Sequence, residues 1–299
     1  FNRRVVVDAE TCAPELTIGE YVSRHRYSRQ FTQQYLIPMA AAIWSAEPGS
    51  VEQMPLPFLV RFFRHHGLLS LNDRPQWRVV SGGSRQYVDK LTHGFRDRIR
   101  LTTPVQWIRR RQDAVIVKAA NHDPEHFDQV FVATHSDQAL ALLADPSKLE
   151  QRVLGAMPYQ KNEAVLHTDE TVLPKRRRAW AAWNYHIPAE ERNGVAVTYN
   201  MNLLQGLQSA SQYCVTLNYT DRIDPAKILR RFSYDHPVFR RESIAAQSSQ
   251  AELNAGRTFF CGAYWRNGFH EDGVVSALAA IRHFEEATAC EKLHFRRAG

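Results

Sequence analysis

The sequence predicts a two-part fold, α/β together with α+β. Three observations carry this. Helical patterns alternate with β-prone runs along the whole chain. The run Phe127 to Ala133 is almost wholly apolar, as in strands covered on both faces. At 299 residues the chain can bury a large core or two medium ones without disulfide support.

Thr17 and Glu20 have capping-box spacing, so a helix is expected after Thr17, and a second from Ser28 to about Trp44. Pro48, Gly49, Pro55 and Pro57 punctuate an expected loop. Phe58 to Arg64 then reads as a helix ending at Gly67, which would bury Phe58, Phe62 and Phe63 in a core or against an apolar cavity; dipping into a membrane interface is the alternative. Trp77 to Val80 reads as a strand, Ser81 to Ser84 as a turn, and the stretch to Phe95 as a helix.

Ile99 to Thr102, Val105 to Arg109 and Val115 to Lys118 suggest a small meander, followed by a turn at Asn121 to Glu125 and the apolar strand 127–133. Ser136 is the expected cap of a helix through Leu143. Further β-prone runs lie at 164–167, 179–185, 195–201 and 213–217, with the basic turn Lys175 to Arg178 among them. Asp224-Pro225 signals a helix to Phe232. Arg257 to Ala263 is strand-like. A loop with Gly268, His270, Glu271 and Asp272, the last as N-cap, leads to Gly273 and a final helix, 274–284.

Lys plus Arg number 38 against 31 for Asp plus Glu, a net charge of +7 with pI near 9.3, spread without one dominant tail. Such a balance suits nucleic acid, a membrane surface or an anionic ligand and does not choose among them. The four cysteines, Cys12, Cys214, Cys261 and Cys290, have no C-x-x-C spacing and read as free thiols of a reducing, cytoplasmic compartment. Apolar stretches stop well short of a membrane span. G-x-G-x-x-G, G-x-x-x-x-G-K-[ST] and G-x-S-x-G are all absent, which excludes a P-loop enzyme and argues against an α/β-hydrolase. His122 and His126 flank Pro124, so a metal centre is not expected.

Val80-Ser81-Gly82-Gly83-Ser84, Asp97 to Leu101 with Pro104-Val105, and Phe127 to Ala133 stand in the order and spacing seen in the middle of flavin-containing amine oxidoreductases. This sequence resembles that superfamily, which includes monoamine oxidase, phytoene desaturase and protoporphyrinogen oxidase. Phe260 to Ala263 and Gly268 to Ala277 resemble its C-terminal flavin motif. Together with Ala181, Trp183 to Tyr185 and Gly262 to Gly268, the stretch is similar to a bacterial subgroup known as FAD-binding oxidoreductases.

The resemblance implies an FAD/NAD(P)-binding-like domain, at 76–154 and 256–299, interleaved with a substrate domain that is helical in 1–75 and sheet-rich in 155–255. Cofactor-binding roles would fall on Val105, facing adenine, on Gly262 and Ala263 beside the ribityl and phosphate part, and on Gly273, Val274 and Val275 at the helix pointing toward the flavin ring. Leu69 and Gln76 would approach the substrate. The family's first βαβ unit has no counterpart here, so an N-terminally truncated flavoprotein with an incomplete FAD site is expected.

The family's lysine near flavin N5 falls at or near Ala164, with Lys161 close by, and Val274 stands where monoamine oxidases have an aromatic residue. Both departures point away from an amine and toward a small or lipid-like substrate, dehydrogenated at carbon. Acid/base work at His270 and Glu271 is one reading, and a polar helix cap the other. A non-catalytic binding or scaffold protein stays open as a second class. Contact with a membrane surface stays open as well, and nucleic acid is not expected.

Overall fold

A computed structural model describes residues 1–70, 72, 74–188 and 194–297, with side chains through 289; Cys290 therefore lies outside the described side chains. Helix α1 (Asn2–Thr11) precedes every expected element. Helix α2 (Ile18–Arg24) starts at the predicted capping box: the Glu20 N–H donates to Thr17 Oγ1 at 3.2 Å, and the Thr17 N–H to Glu20 Oε2 at 2.8 Å. Ser28 caps α3 (Arg29–Phe31), which runs through a π-helical segment (Thr32–Leu36) into α4 (Ile37–Trp44).

The loop expected at 48–57 is instead helical, α5 (Pro48–Glu52) and α6 (Leu56–His65). Pro48 and Pro57 stand in the first helical turns and Pro55 at the N-cap of α6, where a missing N–H breaks nothing. Trp77 to Val80 finds no strand partner among the described residues and is coil, followed by α7 (Arg85–Thr92). Ile99 to Thr102 likewise is not a strand. Leu101 there is 77% exposed, and Arg100 ties the segment to Glu125.

Strands β1 (Val105–Arg110), β2 (Val115–Ala119) and β3 (Glu125–Phe127) form an antiparallel meander. The expected single strand 127–133 divides: Phe127 ends the β2 ladder, Asp128-Gln129 breaks the chain, and β4 (Val130–Val132) pairs in parallel with a strand from far downstream. In α8 (Ser136–Leu142) the N-cap position belongs to His135, since the Ser136 N–H goes to Tyr159 Oη at 2.9 Å. Helix α9 (Lys148–Leu154) follows.

Strands β5 (Tyr159–His167), β6 (Trp183–Tyr185), β7 (Val197–Asn200) and β8 (Cys214–Leu217), with α10 (Met201–Gln205) after β7, occupy the next expected β-prone region. The predicted helix at 224–232 is wrong. Asp224 caps only one 3₁₀ turn, accepting from the Ala226 N–H, and Ile228 begins β9 (Ile228–Pro237), whose Ile, Phe and Tyr favour a pleated edge. These strands make one sheet in the order β6-β7-β8-β5-β9. Helices α11 (Arg241–Gln247) and α12 (Gln250–Leu253) lead to β10 (Thr258–Phe260), the partner of β4. The last helix, α13 (His270–Arg297), starts earlier than expected, so His270, Glu271 and Asp272 form its first turn rather than a loop.

The chain divides into two units: residues 1–98 with 160–238, and 99–159 with 239–299. The crossing points thus differ from 75/76, 154/155 and 255/256. Residues 76–98 stay with the first unit, where Trp77 meets the His66 ring at 5.8 Å. Residues 239–255 join the second, because Leu253 packs into its core.

In the first unit α6 turns Phe58, Leu59, Phe62 and Phe63 inward and leaves Arg61 and Arg64 exposed, which places the aromatic face in the core. Trp44 packs on Phe62 at 4.8 Å. In the second, Ile108, Val132, Val153, Leu154, Phe260 and Trp265 share a core, while Phe259 on the opposite face of β10 packs with Cys261 and Ala280 of α13. Strand β10 is therefore covered on both faces, as parallel strands require. Cys12, Cys214 and Cys261 are free thiols. No described helix is long and apolar enough to cross a membrane.

Candidate functional site

Val105, Gly262, Ala263, His270, Glu271, Gly273, Val274 and Val275 all belong to the second unit, around the β4–β10 pair and the start of α13. Strand β10 ends at Phe260, where the Asn254 side chain takes over the role of a neighbouring strand: its Oδ1 accepts from the Phe260 N–H at 2.6 Å and its Nδ2 donates to the Phe260 carbonyl at 3.2 Å. The Cys261 N–H then donates to the Val132 carbonyl, carrying the pairing one residue further.

Gly262 follows at φ +154, a conformation that side chains rarely adopt, and a Cβ there would lie 2.5 Å from the Tyr264 ring. Its N–H donates to Ser276 Oγ at 2.8 Å, and Ser276 Oγ donates to the Gly273 carbonyl at 2.9 Å. One buried serine thus joins the strand exit to the helix start. Ser276 was not singled out beforehand, although its position three residues after Gly273 is the spacing of one helical turn.

Ala263 opens a 3₁₀ turn, and its carbonyl accepts from the N–H groups of Arg266 and Gly268. Val274 is 49% exposed and Val275 half-buried. The Gly273 N–H donates to the Phe269 carbonyl, so Gly273 to Val275 stand inside the helix rather than at its open end. Burial pushes up both the Tyr264 phenol and the Cys261 thiol, keeping them protonated.

His270 and Glu271 are exposed, whereas Asp272 is 6% exposed and wholly engaged: it accepts from the Phe269 N–H and Asn267 Nδ2, and pairs with Arg266. Val105 begins β1 and lines an apolar cavity of about 540 Å³ with Ile108, Val130, Val132 and Leu142.

Leu69, Gln76 and Lys161 belong to the first unit. The Leu69 carbonyl accepts from Asn2 Nδ2, and Gln76 is exposed. On β5, Lys161 is exposed and Ala164 is buried; three residues apart on a strand, they face opposite sides.

No protein-family model and no curated protein matches the sequence. Solved structures do match. Cyclohexylamine oxidase from Brevibacterium oxydans superposes with a TM-score of 0.62 at 12% identity, over 95% of this chain and 73% of that one. A protein described as a protoporphyrinogen oxidase from Exiguobacterium sp. gives 0.63 at 15%, over 95% and 72%. A redesigned putrescine oxidase gives 0.62 at 10%, over 91% and 68%.

The fold is that of the flavin amine oxidases. At these identities the likeness is one of architecture.

Within the amine oxidase fold, the residues present suit one wall of a flavin site. Beside Gly273 there is open space, since a Cβ there would meet nothing within 4 Å. The α13 entrance does not suit a pyrophosphate, since Asp272 takes the Phe269 N–H there and Glu271 adds negative charge.

Proposed function

We propose that this chain is an FAD-dependent oxidoreductase acting on a small or lipid-like substrate. The observation that supports it best is the Gly262–Ser276–Gly273 link, which holds a glycine at the exit of a parallel strand against an open glycine in the first turns of a long helix. Gly262, Ala263, Gly273, Val274 and Val275 would hold the flavin part, and Val105 with its apolar cavity the adenine. Bound there, FAD would supply a hydride acceptor at its N5 for a substrate carbon. The chain's own contribution is steric: Gly262 and Gly273 permit close approach. Leu69 and Gln76 are proposed substrate contacts, with Lys161, His270 and Glu271 as the candidates for proton handling.

A non-catalytic binding protein is the second reading, favoured by the acid-capped helix entrance. Absorption spectra separate the two. Purified chain incubated with FAD and freed of excess by gel filtration should keep visible flavin bands, and Gly273→Asp should lose them. Absence of retained flavin at any FAD concentration, both in this chain and in any longer natural form of it, supports the binding-protein reading and overturns the oxidoreductase.

A further inference from the structure

Four side chains form a line across the five-stranded sheet of the first unit. His167 Nε2, at the end of β5, lies 2.7 Å from Thr216 Oγ1 on β8. Thr216 Oγ1 lies 2.8 Å from Thr198 Oγ1 on β7, its direct cross-strand neighbour. Thr198 Oγ1 lies 2.9 Å from Nε2 of His186, one residue past β6. The first three are fully buried, so their side-chain protons must find partners along the line.

One end of the line sets its direction. The backbone N–H of Asp169 donates to His167 Nδ1 at 3.1 Å. A backbone amide can only donate, so Nδ1 carries the lone pair and the neutral ring has its proton on Nε2. That proton goes to Thr216, the Thr216 hydroxyl proton to Thr198, and the Thr198 hydroxyl proton to His186 Nε2. His186 Nε2 must then accept, which leaves its own proton on Nδ1. The reversed line would set the Thr216 hydroxyl proton against the Nε2 proton of His167.

The rest of the His186 ring is held too. Tyr219 stacks on it at 5.0 Å and 27°, and its Nδ1 has no protein partner among the described residues. His186 lines a cavity of about 760 Å³ together with Arg29, Glu47, Glu52 and Tyr185. Gln33 holds Arg29 through its Nε at 2.7 Å, and no ion pair neutralises Arg29, Glu47 or Glu52 among the described residues. Among the described lining residues one cation stands against two carboxylates, an excess of negative charge that disfavours an anionic ligand.

We infer that this cavity is a binding site for a small neutral ligand bearing a carbonyl group, read by a His186 Nδ1–H whose proton is placed there by the His167–Thr216–Thr198 line. The site is independent of the flavin reading. It is a positioned donor and not a proton conduit, because passing a proton out of His167 would need another on Nδ1, where the Asp169 N–H stands.

Long-range ¹H–¹⁵N correlation on the full chain labelled at histidine tests both halves. His186 should be the Nδ1–H tautomer, and Thr198→Val should move it toward Nε2–H while Thr198→Ser keeps it. Butyramide should give a saturable downfield shift of the His186 Nδ1 proton, and butyrate none. An Nε2–H tautomer in the unaltered chain overturns the line, a measurement that stands even where Thr198→Val does not fold. Absence of a saturable butyramide shift, or a response to butyrate alone, overturns the carbonyl site.

Discussion

Arg110 Nη2 donates to Glu150 Oε2 at 2.9 Å, and the carboxylate it meets is almost wholly buried. The pair fastens β1 to α9, and Glu150 also closes the capping box of α9 by accepting from the Ser147 N–H at 2.7 Å. Glu150→Ala would take the buried carboxylate from a partly buried guanidinium, leaving it Asp145 alone, and would open the reciprocal half of the capping box while Ser147 Oγ keeps its bond from the residue-150 N–H. The expected loss is about 2–4 kcal/mol, measured by urea unfolding. Burial alone would lift the Glu150 carboxyl, but Arg110 and Ser147 outweigh it and hold the group below the usual carboxylate range. The pair's stabilisation is therefore complete above the ordinary glutamate pKa and is lost as pH falls through the lowered value.

His167 runs the other way from an ordinary surface histidine. Burial pushes it down to about 4, against a smaller opposing pull from Asp169. Unfolded, the ring protonates near 6.5; folded, it resists until about 4. Stability supplied by the neutral ring is thus complete above pH 6.5 and declines as pH falls from 6.5 to 4, by about 2–3 kcal/mol. Urea titrations at pH 7 and pH 4.5 should show this decline in the unaltered chain. His167→Gln should reduce the difference between the two pH values; an unchanged difference would mean that another group carries it.

Gly262→Ala should destabilise through a named clash. The backbone sits at φ +154, and the new Cβ would lie 2.5 Å from the Tyr264 ring, which is buried and has little room to move. The expected penalty is about 2–4 kcal/mol. Placed in a Tyr264→Ala background, the same substitution should cost measurably less, since only backbone strain remains. Equal penalties in both backgrounds would refute the ring clash.

Local signals survive in the structure where neighbouring residues supply both partners. The Thr17–Glu20 capping box and the Ser28 cap are complete within one turn, so spacing alone reveals them. Asp224-Pro225 carries the same helix signal, yet the edge of β5 claims the backbone from Ile228 onward, and no local pattern announces that claim. The apolar run 127–133 hides a break for a related reason: its two halves pair with β2 and with β10, and the second partner lies some 130 residues away in sequence. At the site, Gly262 and Gly273 are legible as glycines, but Ser276, which joins them, matters only once strand and helix are side by side. The period of two on β5 separates Lys161 from Ala164 as soon as the strand is known to be unbroken.

Asn254 offers the sharpest test of how the β4–β10 edge is held. Its amide mimics a strand: Oδ1 accepts from the Phe260 N–H at 2.6 Å, and Nδ2 donates to the Phe260 carbonyl at 3.2 Å, with the side chain 3% exposed. Removing it leaves the buried Phe260 N–H without its acceptor and takes one of two donors from the Phe260 carbonyl, which keeps Gln250 Nε2 at 3.2 Å. Asn254→Ala should therefore cost about 1–3 kcal/mol, more than its lost apolar contacts explain. Asn254→Asp keeps the acceptor and the volume but turns the donor into a second oxygen against the Phe260 carbonyl, so it too should destabilise, and more at pH 7 than at pH 4, where protonation restores a donor. Thermal unfolding at the two pH values, each relative to the unaltered chain, reads this out; an Asp variant no worse at pH 7 than at pH 4 would show that Nδ2 contributes nothing to the strand end.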